Sequence, residues 1–85
     1  MASYSFTVER VVQGASFKVE VTEAPCAEVT VEFRLDGSLV DSDTVTVVGS
    51  TDFSCPSGSD GRDWTITVKC PGEDPESADG TVAAS

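Results

Sequence analysis

Apolar and polar residues alternate with a period of two along most of this chain, most clearly from Val29 to Val47, VTVEFRLDGSLVDSDTVTV. Val29, Val31, Phe33 and Leu35 fall on one side of an extended backbone, and Thr30, Glu32 and Arg34 fall on the other. That is the pattern of a strand with one buried face. Asp36-Gly37 then supplies the positive-φ turn of a tight hairpin, so that Leu39 and Val40 run back beside the first arm.

The alternation recurs on both sides of this hairpin. Tyr4, Phe6 and Val8 against Ser5, Thr7 and Glu9 predict a first strand over about residues 4 to 12, closed by Gln13-Gly14. Ala15, Phe17, Val19 and Val21 against Ser16, Lys18, Glu20 and Thr22 predict a second, with one dry and one wet face. Pro25 cannot donate to a ladder, so residues 23–27 form a loop. Gly49-Ser50 interrupts the pattern ahead of a short strand, Thr51 to Cys55, whose core residue is Phe53. The run PSGSDG is a turn-rich loop. After it, Trp64, Ile66, Val68 and Cys70 share one face of a strand from Arg62 to Cys70, with the tryptophan expected as the largest piece of the core. The last stretch, PGEDPESADGTVAAS, carries four acids and almost nothing apolar. It reads as mostly flexible, with Gly80 to Ala84 able to add a short edge strand.

Composition agrees with this pattern. Thirteen valines and nine threonines, against four Leu, Ile and Met together, are a β composition, because branching at Cβ suits a pleated sheet better than a helix. Eighty-five residues hold one core. The expected fold is therefore all-β, a small immunoglobulin-like antiparallel β-sandwich of six to seven strands over residues 1–70, followed by an acidic C-terminal tail over 71–85.

The quoted motifs also resemble a known family. VTVEFRLDGSLVDSDT, the short aromatic strand DFSC and the later GRDWTITVKC are similar to the bacterial and phage immunoglobulin-like, fibronectin-III-like modules. Those modules carry a VEFYxDGxLVGxDT hairpin and a GxYTxTVxA strand. The likeness spans about residues 15 to 70, and Trp64 stands where the family has tyrosine, without the hydroxyl that locks the family's corner. In such a sandwich the Cys26 loop and Cys70 fall at one end and Cys55 at the other. A strand of about seven residues spans about 23 Å, far beyond disulfide reach, which sets Cys55 with Cys70 aside. Cys26 and Cys70 are then a candidate disulfide or a pair of reduced thiols, and both alternatives stand.

Charge and missing residue types bound the function. Five basic residues against 15 acidic ones give a net charge of −10, which disfavours nucleic acid and anionic membrane as partners. There is no histidine, so Ser/His/Asp and Cys/His nucleophile pairs are excluded, and no cofactor or zinc spacing is present. Asp41 with Asp43 and Asp60 with Asp63 lie in polar turn sequence where carboxylates stay ordinary. SDGRD resembles a fragment of a calcium loop without its spaced oxygens or closing glutamate.

The expectation is thus a non-enzymatic structural or interaction module. Within the resemblance, the first choice is a virion protein that decorates or cements a tailed-phage capsid exterior. Its partner would be the major capsid protein or another virion protein, self-association stays open, and Tyr4 and Phe6 are the candidate partner-binding residues. The alternative is an accessory or carbohydrate-binding module of a secreted enzyme or adhesin; a third is an acidic inhibitor or DNA mimic. MASYSFTVER shows no basic n-region followed by an apolar run, which fits cytoplasmic synthesis. A piece cut from a secreted protein would look the same.

Overall fold

The computed structural model describes residues 3–84; Met1, Ala2 and the last residue of the tail, Ser85, lie outside them. Seven strands and no helix make up these residues: β1 (Ser5–Val8), β2 (Ser16–Glu23), β3 (Glu28–Leu35), β4 (Ser38–Thr46), β5 (Gly49–Ser54), β6 (Asp63–Lys69) and β7 (Glu76–Thr81). All named pairings are antiparallel. One sheet has the order β1-β2-β5 and the other β4-β3-β6-β7. This small all-β sandwich is compatible with an immunoglobulin-like module.

Alternation puts the core where the two sheets face each other. Phe17, Val19 and Val21 of β2, Val29, Val31, Phe33 and Leu35 of β3, and Ile66 and Val68 of β6 are all buried. Phe17 and Phe33 meet edge to face with ring centroids 4.9 Å apart, and Phe53 lies 5.9 Å from each. Aromatic contacts of this geometry add to the gain from area burial.

The β3–β4 hairpin turns at Asp36 (φ 51°) and Gly37 (φ 84°). Two consecutive left-handed residues match the right-handed twist of the arms. A bulge follows, since Phe33 pairs with Asp41 and Arg34 with Leu39, leaving Val40 as the extra residue.

Four expectations are corrected. The first strand stops at Val8, after which the Glu9 N–H donates to the Lys18 carbonyl (2.9 Å) and the chain crosses to the other sheet. There Val12 makes a parallel bridge with Ala83, and Val11 is buried. The fifth strand starts at Gly49; a Cβ there would run into the Thr46 carbonyl oxygen, so this position admits glycine alone. Trp64 is only half-buried, at the margin of the core. The acidic segment, expected to be mostly flexible, pairs as β7 along β6 and then buries Val82. Ladder bonds on a preformed sheet and one buried valine order a segment that composition alone assigns to solvent.

Candidate functional site

Each end and edge of the sandwich carries a different chemistry. At one end Cys26 and Cys70 form a disulfide, with Cα atoms 6.0 Å apart and a sequence separation of 44. Tyr4 reinforces that end. Its hydroxyl donates to the Asp74 carbonyl (2.8 Å) and accepts from the Cys70 N–H (3.2 Å), tying the first strand to the loop that holds the disulfide. Tyr4 is therefore turned inward, as a buried residue. Phe6 is half-buried and packs against the core from the β1 edge. Cys55 is a buried free thiol whose Sγ lies 3.3 Å from Ser59 Oγ, itself donating to the Pro56 carbonyl (2.6 Å).

The outer face of the four-stranded sheet is polar. Thr30, Glu32 and Arg34 of β3 stand beside Thr44, Ser42 and Leu39 of β4, and beside Lys69, Thr67 and Thr65 of β6. Glu32 sits between Arg34 (2.8 Å) and Lys69 (3.1 Å). Hydrogen bonds from Lys69 and then Arg34 hold its carboxyl below the usual range. At the hairpin end, Asp36, Gly37, Asp63, Thr65, Asp79, Gly80 and Thr81 surround an open cleft of about 440 Å³. Asp36 accepts from Arg62 Nε (2.7 Å) and from the Asp63 N–H (3.2 Å), and both lower its pKa. Of the carboxylates weighed for acid and base work, Asp41 and Asp43 are held by local bonds. Asp41 takes the Ser42 N–H (2.8 Å), and Asp43 takes the Thr44 N–H (2.9 Å) and the Thr51 hydroxyl (2.6 Å).

The apolar surface lies along β4. Eight of its nine residues are exposed, with Leu39 at 53% and Val40 at 40%, and Val48 beyond its end reaches 70%. Periodicity did not foretell this. Leu39 and Val40 are consecutive, so no alternation assigns them a face, and the bulge at Val40 only appears once the strands are paired. Being outermost in its sheet, β4 also leaves one row of backbone groups without a neighbouring strand. Such an edge can recognise an extended chain.

No protein-family model matches this chain, and no curated protein matches it either.

Proposed function

We propose that this chain is a non-enzymatic recognition and assembly module. Within that class we read it as a virion protein decorating or cementing the exterior of a tailed-phage capsid after cytoplasmic synthesis, bound to the major capsid protein or another virion protein. The observation that carries the reading is the outermost, nine-residue β4 edge with its exposed aliphatic residues. Two properties support the virion setting beside the resemblance. A net charge of −10 keeps such a protein off packaged DNA. The Cys26–Cys70 disulfide suits a surface outside the reducing cytosol.

The disulfide supports a second reading equally, an accessory module of a secreted enzyme or adhesin. Glycan binding in particular wants exposed planar aromatics. Here Phe17, Phe33 and Phe53 are buried against each other and Tyr4 is buried as well, so that version is weaker. Co-expression with the products of neighbouring genes, followed by sedimentation and chromatography, separates these readings. Co-sedimentation with assembled shells is the expected result. Retention on a glycan column in its place, or capture of a basic nuclease, would move the assignment to one of the other classes.

A further inference from the structure

Taking the module reading as its basis, we propose that the β4 edge accepts, by antiparallel strand addition, an extended partner segment with two basic residues two positions apart followed by aliphatic ones. The argument starts from the direction of the β4 backbone groups. Leu35 and Ser38 flank the two-residue turn as a hydrogen-bonded pair, and the bulge at Val40 shifts the count by one. Ser42 and Thr44, opposite Glu32 and Thr30, then fall at positions whose N–H and C=O groups point away from β3. Those two N–H groups are met by the carboxylates of Asp41 and Asp43.

The edge is therefore self-capped, and its caps are also its charges. Asp41 and Asp43 pair with Phe33 and Val31, so all four share one face of the sheet. An incoming antiparallel strand sets one residue opposite Asp43 and another two positions on, opposite Asp41. Lysine or arginine at those places draws Asp41 Oδ1 off the Ser42 N–H and Asp43 Oδ1 off the Thr44 N–H, while Asp43 Oδ2 keeps the Thr51 hydroxyl; the two N–H groups then bond to the new strand's carbonyls. The next residues of the incoming strand lie against Val40 and Leu39, which are exposed and await apolar cover.

Other occupants and other edges fit less well. A second copy pairing about Ser42 would place Asp41 against Asp43 twice across the dyad, and like charges directly opposite are destabilising. The strand β1 has only four residues, and β7 has no large apolar residue, with the chain just beyond it, at Ala83, engaged by Val11 and Gln13. The β5 edge faces β4 through the Thr51–Asp43 bond.

The test titrates the ¹⁵N-labelled full chain with two blocked synthetic peptides, TKTKVVT and its acidic counterpart TETEVVT. Saturable shifts and slowed exchange at the Ser42 and Thr44 amides are expected with the basic peptide only, weakening as salt rises past about 0.1 M. In the Asp41→Asn, Asp43→Asn double variant the Kd should rise about tenfold, the loss of two exposed ion pairs. Absence of binding, equal binding of both peptides, or shifts centred on β1 or β7 would overturn the assignment. So would an unchanged Kd in the folded double variant, or concentration-dependent shifts at Ser42 and Thr44 without peptide, which would mean a second copy. The peptide comparison uses the unaltered chain, so it does not depend on how the variant folds. Shell co-sedimentation with no peptide binding keeps the assembly reading and removes this edge from it; peptide binding without shell binding does the reverse.

Discussion

The indole of Trp64 occupies the space where a side chain on Gly80 would begin. The two residues are direct cross-strand partners on β6 and β7, and a Cβ built on Gly80 would stand 2.8 Å from Cζ2 and 2.9 Å from Cε2 of the ring. The glycine lets a large ring lie over the edge strand, and the ring covers backbone that glycine would leave bare. Gly80→Ala forces the whole indole to move, and overpacking of this kind costs about 1–3 kcal/mol. Chemical denaturation should show that loss together with a red-shifted tryptophan emission. An unchanged midpoint and spectrum would mean that the ring is free to swing away.

Reduction of the disulfide should destabilise the fold without unmaking its topology. Closing a loop with a separation of 44 residues lowers denatured-chain entropy by about 4 kcal/mol in the chain-entropy model, an upper figure. Cys26→Ser with Cys70→Ser should lower the melting temperature by much more than Cys55→Ala does. Mass spectrometry of the native chain under alkylation should find a single thiol, and that one only after unfolding, since Cys55 is buried.

Tyr4→Phe keeps the ring and removes a hydroxyl that serves two backbone groups, the Asp74 carbonyl and the Cys70 N–H. Loss of a partner from a buried polar group costs about 1–3 kcal/mol. Hydrogen exchange at the Cys70 amide should accelerate more than at β3 amides. A variant as stable as the parent would show that the hydroxyl is dispensable.

Acid should weaken the protein below about pH 4. Glu32, Asp36 and Asp43 all have folded-state pKa values below their ordinary ones, from bonds to Lys69 and Arg34, to Arg62, and to Thr51 respectively. A depressed carboxylate contributes stability above its unfolded pKa and loses it as pH falls through the folded value, so the slope lies on the acid side of the ordinary range. The Arg62–Asp36 and Thr51–Asp43 bonds are exposed and the Glu32 pairs lie part-buried on the outer face of the sheet, so screening keeps the combined effect small. Glu32→Gln should flatten the acid limb of a urea-midpoint against pH curve.

Added salt should stabilise the fold at neutral pH. Repulsion from a net charge of −10 is screened as the Debye length shrinks to about 8 Å near 0.15 M salt. The opposing loss, from surface pairs such as Arg62–Asp36, is worth about 0–1 kcal/mol each. Thermal melts at increasing sodium chloride should rise; a fall would give the ion pairs the larger share.

Much of the architecture was written in local pattern. Period-two alternation determined which residues of β2, β3 and β6 face inward, and Asp36-Gly37 determined the hairpin, because both signals act over a few residues of chain. Three features were decided only by tertiary structure. The acidic segment became β7 because the open side of β6 offered it a ladder. The Tyr4 hydroxyl found its two partners because the Cys70 loop presented a donor and an acceptor to it. Leu39 stayed in water because its register puts it beside Arg34 on the outer face, and Val40 because it is the bulge residue of an outermost strand. Sequence spacing records which residues can share a face, whereas which face meets water depends on the strands that happen to lie beside it.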